Sequence, residues 1–217
     1  MKTLVTNNEY YSIYTVGSEY LYEIAKFIVE QNYKRHTGKD MDGQVEDEIK
    51  SIYEEELSLA KNSQIFIVET NDRIIGCIRV TKWDEKSLLP VQKIFNIDPL
   101  NSIRYSKQST FWHIGRLAVD SSANVSTVSL FKKLMMYAIY PIYQETDGYM
   151  IAEVDSKLLR VINRLGMDTV RLGDGTVYLG SETIPVYADK KGLNKFYQSY
   201  ISEIVIDEII TVYKKAA

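Results

Sequence analysis

The chain has 217 residues, 45% of them hydrophobic, a formal net charge of −3, one cysteine and two histidines. This length suits one large domain or two very small ones, and the composition excludes a disordered, collagen-like or low-complexity chain. Cys77 has no partner for an internal disulfide, which fits a reducing compartment. One Cys with His36 and His113 is too small a set for a structural zinc site, and a pI near 5.6 excludes a strongly basic nucleic-acid footprint.

The first twenty residues contain no apolar run of signal-peptide length and no small-residue cleavage site. Nowhere do about 18 apolar residues follow one another. The expectation is a soluble cytoplasmic protein with no metal, no nucleic-acid partner and no stable membrane anchor.

Residues 18–35 place Leu21, Ile24, Ala25 and Ile28 at helical spacing, with Ser18 available as a cap. Residues 44–60 repeat the pattern with Val45, Ile49, Ile52, Tyr53 and Leu57. The period then changes. Gln64–Glu69 and Ile74–Val80 read as strands joined by a tight turn at Asn71-Asp72. Residues 83–108, with Pro90 and Pro99, read as irregular.

Thr110–Val119 is a long strand, and Asp120–Ser126 a polar loop leading to a helix capped by Ser126 or Thr127. That helix extends to about Gln144, with Pro141 expected to bend or end it. Tyr149–Val154 is an apolar strand. Asp155 is placed to cap a helix that Gly166 stops, and two short strands follow, around 167–172 and 176–187. Leu193–Tyr213 is amphipathic and acidic, which predicts a docked helix rather than a membrane-surface anchor. The order α-α-β-β-β-α-β-α-β-β-α, without repeats or linkers, predicts an α/β fold with a mixed sheet in a single domain, 1–217.

Three segments resemble, in this order, motifs of the GNAT acyltransferase superfamily. They are Ile75-Gly76-Cys77-Ile78-Arg79, then His113-Ile114-Gly115-Arg116-Leu117-Ala118-Val119. The third runs from Leu159 through Gly166-Met167 to Leu172-Gly173 and Ile184-Pro185-Val186-Tyr187. The resemblance is greatest to the branch of acyl-homoserine-lactone synthases and long-chain N-acyl amino acid synthases. It covers roughly residues 18–190 and implies a GNAT-like acyl-N-acyltransferase fold. It departs from the branch at His113, where a carboxylate is usual.

The resemblance implies transfer of a fatty acyl group from acyl carrier protein, as its phosphopantetheine thioester, or from acyl-CoA, to the amine of a small amino-acid-like acceptor. No cofactor is permanently bound. Arg79 and Arg116 interrupt apolar strands, so each needs a carboxylate or carbonyl partner, and the resemblance places both in the active-site shell. Direct attack by an amine requires a base, and the candidates are His113 and Glu153. Histidine titrates near ~6.5 in water, and Glu153 lies in the apolar strand YMIAEV. Ideal strand alternation puts His113 and Arg116 on opposite faces, unless a bulge intervenes.

The acyl donor is expected along Leu117, Ala118 and Val119, whose backbone N–H groups suit an oxyanion, and at Ser126 and Thr127. The loop 120–126 has no glycine, and Asp120 adds negative charge where a pyrophosphate would lie, which favours a carrier-bound thioester over coenzyme A. Lys157, Arg160 and Arg164 share a helix face and form the expected docking surface for an acidic carrier protein. Otherwise they are an ordinary solvated face. Phe111, Trp112, Met135 and Tyr149 are candidates for an acyl tunnel, although most of them fit ordinary core. Cys77 reads as inert packing. Two rival readings are an acetyl-CoA-dependent short-chain N-acetyltransferase and an inactive domain that binds acyl chains or carrier protein.

Overall fold

The computed structural model describes residues 1–36, 45–178 and 181–204. Its helices are α1 (Leu21–His36), α2 (Val45–Leu59), α3 (Pro90–Phe95), α4 (Pro99–Ser102), α5 (Thr127–Gln144), α6 (Ser156–Arg164) and α7 (Lys190–Tyr200). The strands are β1 (Lys2–Asn7), β2 (Ser12–Val16), β3 (Ser63–Thr70), β4 (Arg73–Lys82), β5 (Ser109–Val119), β6 (Asp147–Asp155), β7 (Val170–Arg171), β8 (Thr176–Tyr178) and β9 (Ser181–Asp189). They form one mixed sheet in the order β1-β2-β3-β4-β5-β6-β9-β7, with β8 pairing on β9.

Helices cover both faces of the sheet. On one side α5, α6 and α7 pack Leu134, Met136, Ile162 and Phe196 against Phe66, Ile78 and Val186. On the other, α1 and α2 bury Leu21, Ile24, Ile49 and Ile52 against Ile65, Ile67 and Cys77. A third apolar cluster joins Leu89 and Val91 to Trp83, Phe111 and Ile151.

The only parallel pairing among the described strands is β5 with β6, and it determines where the site lies. Its register runs from Ser109↔Asp147 to His113↔Ile151 and then stops. Beyond that point β5 continues to Val119 paired only with β4, and β6 continues to Asp155 paired only with β9. The strands part at His113, leaving an opening through the sheet.

Several expectations change on contact with the structure. The hairpin β1–β2 was not expected: its strands are short and largely polar, and of their apolar residues only Val5, Ile13 and Val16 are buried. Pro90 and Pro99 begin helices rather than interrupting structure, because proline at the first helical position lacks only an N–H that has no helical partner. Pro141 lies inside α5, which ends within one turn of it. Ser18 opens a short 3-10 turn whose N-cap is Gly17 and does not cap α1. Leu57 is 50% exposed, and the buried stripe of α2 continues instead through Glu56. Beyond α7 the C-terminal helix expected to reach Tyr213 lies largely outside the described residues.

The turn at Asn71-Asp72 is as expected. Both residues have positive φ, 48° and 57°, as a two-residue hairpin turn of the primed type requires. Glycine adopts this conformation without the steric penalty of a Cβ. Asp72→Gly should therefore raise unfolding stability by about 0.5–1 kcal/mol in a denaturant titration.

Candidate active site

The site begins with an irregularity in β5. Between Cys77↔Ala118 and Arg79↔Gly115, one residue of β4 (Ile78) faces two of β5 (Arg116 and Leu117). Arg116 takes a left-handed conformation, φ 57°. The bulge reverses the alternation. Ile114 and Leu117 pack on the α5 side, whereas Arg116 joins His113 on the α2 side. A left-handed non-glycine residue costs about 1–3 kcal/mol. Here the strain is offset by the contacts that Arg116 gains.

Those contacts converge on α2. Arg116 Nε donates to Glu56 Oε1 at 2.7 Å and its Nη2 to Glu55 Oε1 at 2.6 Å. Arg79 Nη1 lies 3.0 Å from the same Glu56 oxygen, an ion-pair distance without hydrogen-bond alignment. Arg79 and Glu56 are almost fully buried, each 1% exposed. Burial opposes the charge on Glu56, but Arg79 and Arg116 outweigh it and hold the carboxyl below its ordinary range. Burial likewise works against the Arg116 guanidinium, and Glu56 and Glu55 raise its pKa above the usual value. For Arg79 burial prevails and lowers the pKa against the pull of Glu56; a guanidinium stays charged near neutrality regardless.

Arg79 also reaches across β5. Its Nη2 stands 2.8 Å from His113 Nδ1, and His113 Nε2 stands 2.8 Å from Glu153 Oε2. A guanidinium only donates, so Nδ1 accepts and carries no proton. The ring proton therefore sits on Nε2, which donates to the Glu153 carboxylate. This fixes His113 as the neutral Nε2–H tautomer. Gly115 makes the approach possible: a Cβ there would lie 2.8 Å from Arg79 Nη2 and 3.0 Å from His113 Cε1. The Glu153 side chain is 9% exposed, and among the described residues its Oε1 has no hydrogen-bond partner.

The parted strands enclose a cavity of about 180 Å³ that runs through the sheet. On the α1–α2 side its wall is polar, with Asn32, Glu55, Arg79, His113, Arg116 and Glu153. On the α5–α6 side it is apolar, with Ile114, Leu117, Met135, Met150, Leu158 and Ile162. Tyr178, Ser181 and Thr183, from β8 and β9, also line it, as do Ile28, Pro90 and Ile94. The cavity can take an apolar chain at one end and present a carboxylate to a polar group at the other.

The four expected catalytic residues, Glu153, His113, Arg79 and Arg116, all meet here. Of the five expected donor contacts only Leu117 lines the cavity. Ala118 and Val119 are packed in the cores on opposite faces, Ser126 caps α5 by accepting from Ser129 N, and Thr127 begins that helix. Asp120 is turned inward and paired with Arg73 and Ser122, so its charge is compensated and opposes no pyrophosphate. The glycine-free loop is what remains of that argument.

Lys157, Arg160 and Arg164 form an exposed face of α6, a helix capped by Asp155 through Lys157 N and Leu158 N. Met135 is the one tunnel candidate that lines the cavity; Phe111, Trp112 and Tyr149 belong to core clusters. Cys77 donates to Arg116 O at 3.1 Å, and burial pushes its thiol up to about 12, so it remains a protonated packing group. Sequence reasoning missed Glu55 and Glu56. The signal was there: Glu56 follows Ile49 and Ile52 at helical spacing on the buried stripe.

The sequence profile of the family described as N-acyl amino acid synthase FeeM matches residues 23–187. The chain belongs to this family. The enzyme is accordingly an acyl-transferring N-acyltransferase. Solved structures share the fold. FeeM, an N-acyl amino acid synthase from uncultured soil microbes, superposes with a TM-score of 0.57 at 11% identity, covering 90% of this chain and 96% of its own. The acyl-homoserine-lactone synthase LasI gives 0.54 at 14%, covering 87% and 94%. BjaI, a CoA-dependent acyl-homoserine lactone synthase solved with SAM and isopentyl-CoA, gives 0.52 at 13%, covering 92% and 97%. No curated protein sequence matches the enzyme. Among the described residues no helix is long and apolar enough to cross a membrane.

The ion cluster makes a signed prediction for pH. Glu56 titrates lower in the folded enzyme than the ordinary value of 4.5, so its contribution to stability is present above that value and is lost as pH falls through the folded pKa. Glu56→Gln should lose about 3–5 kcal/mol at neutral pH, because it leaves buried guanidiniums underpaired. The gap to the native enzyme should narrow on acidification below about 4.5, measured by denaturant unfolding across pH.

Proposed function

We propose that the enzyme transfers a fatty acyl group from an acyl carrier protein to the amine of a small amino-acid-like acceptor, with Glu153 as base. The observation that carries this reading is the two-sided cavity, apolar toward Met135 and Ile162 and ending at the Glu153 carboxylate. The acyl chain occupies the apolar half. The thioester carbonyl sits at the opening between β5 and β6, where β5 beyond His113 has no partner on its β6 side. Backbone N–H groups of that edge, around Leu117, are the donors for the developing oxyanion.

The acceptor enters from the polar side as an ammonium. Glu153 Oε1, which has no protein partner, takes a proton from nitrogen. The freed amine attacks the carbonyl carbon, a C–N bond forms, and the tetrahedral intermediate collapses with cleavage of C–S. The second nitrogen proton goes to the departing thiolate, and Glu153 releases the first to solvent. The balance is one amide, one thiol and one proton.

Two observations support a carrier-bound donor. The loop 120–126 offers no glycine to cradle a diphosphate. On α6, Leu158 and Ile162 line the cavity while Lys157, Arg160 and Arg164 face solvent beside it, a basic surface for an acidic carrier.

Purified enzyme is incubated with long-chain acyl carrier protein and a pool of amino acids, with long-chain acyl-CoA and acetyl-CoA as parallel donors, and products are followed by mass spectrometry. An N-acyl amino acid from the carrier donor is the expected result; product from a CoA donor alone would overturn the donor assignment. Glu153→Gln should reduce turnover by roughly 10²–10⁴-fold with acyl-donor binding unchanged. A fully active Glu153→Gln enzyme would remove Glu153 as the base.

A further inference from the structure

We propose that His113 is a positioning residue, neutral throughout turnover, that couples the buried Arg79–Glu56 pair to Glu153 and aims that carboxylate at the acceptor amine. The inference rests on the reading of Glu153 as the base and goes beyond it in giving His113 a role other than proton acceptance.

Both ring nitrogens are engaged. Nδ1 faces Arg79 Nη2 at 2.8 Å, and Nε2 faces Glu153 Oε2 at 2.8 Å. The residue is completely buried, and Gly115 beside it leaves the room in which Arg79 Nη2 and the ring meet. For His113 to accept a proton, Nδ1 would have to become a donor facing a guanidinium that only donates. An imidazolium there would stand among Arg79 of β4, Arg116 of its own strand, Glu56 of α2 and Glu153 of β6. Every one of these except Glu153 is already committed within the α2 ion cluster.

The Nε2–H, by contrast, occupies one Glu153 oxygen and leaves the other without a partner among the described residues. Arg79 fixes the tautomer, Glu56 fixes Arg79, and the carboxylate inherits its orientation from the helix packed over β4 and β5. This is the arrangement expected of an orienting group, since a base must have a lone pair that no donor occupies.

Two substitutions separate the roles. His113→Gln retains an N–H donor toward Glu153 but cannot take up a proton; His113→Leu retains bulk and offers neither. We expect His113→Gln to keep kcat within about tenfold of the native value and to share its pH–rate profile. We expect His113→Leu to lose roughly a further 10- to 100-fold in kcat, the factor that one hydrogen bond to a charged group supplies, with KM for the acyl donor unchanged. Thermal unfolding of each variant, with bound acyl donor as a check on the cavity, shows that the fold is intact.

If the folded His113→Gln enzyme is as inactive as Glu153→Gln, or loses the acid limb of the pH–rate profile, His113 is the base and the proposal is overturned. Should His113→Leu fail to fold, the His113→Gln result alone decides. Failure of the broader reading looks different: there Glu153→Gln itself remains active.

Discussion

One carboxylate, Glu56, buried beneath two guanidiniums, constrains the rest of the site. It ties α2 to β4 through Arg79 and to β5 through Arg116. Among the described residues it is the one carboxylate at ion-pair distance from Arg79, and Arg116, which also pairs with Glu55, reaches it only because β5 carries a bulge with a left-handed arginine. Buried ion pairs of this kind are weak evidence for stability, since desolvation consumes much of the Coulombic gain. Their consequence here is geometric. A network that is destabilising when any partner is missing holds β4, β5 and α2 in one register, and that register places His113 and Glu153 within hydrogen-bond distance across the parting strands.

The same logic separates the charges by task. Arg79 and Arg116 are committed to Glu56 and Glu55, while among the described residues Glu153 hydrogen-bonds only to the His113 imidazole. The paired charges are committed to one another, and the carboxylate beside the imidazole keeps one oxygen without a partner among the described residues. The cavity has a matching division. The opening between β5 and β6 joins an apolar wall on one face of the sheet to a polar wall on the other, so a long acyl chain and a charged acceptor can meet at one point without either entering the other's environment.

Much of this was legible in the sequence. Period-two and period-3.6 patterns located most major helices and strands from Leu21 through α7, and the Asn71-Asp72, Asp155 and Gly166 punctuation marks all have the predicted conformations. Arginines inside apolar strands correctly announced buried partners. Three features were not legible, each for a physical reason. The bulge at Arg116 depends on contacts with α2 and has no local signal. Glu56 was hidden because an acidic residue at a stripe position reads as an exposed one until its guanidinium partners are known. The short helices α3 and α4 were obscured because proline both breaks helices and starts them. His113 illustrates the remaining limit. Its residue type suggested a base, and only the donor-only character of Arg79 at Nδ1 supports the positioning role proposed for it.

The most direct test of this account is the protonation state of His113 in the native enzyme. Nitrogen-15 NMR of histidine-labelled protein reports each ring nitrogen separately, and a His36→Asn variant assigns the two residues. The link from Glu56 through Arg79 to Glu153 predicts an unprotonated Nδ1 and a protonated Nε2. A protonated Nδ1, or an unprotonated Nε2, would contradict that link.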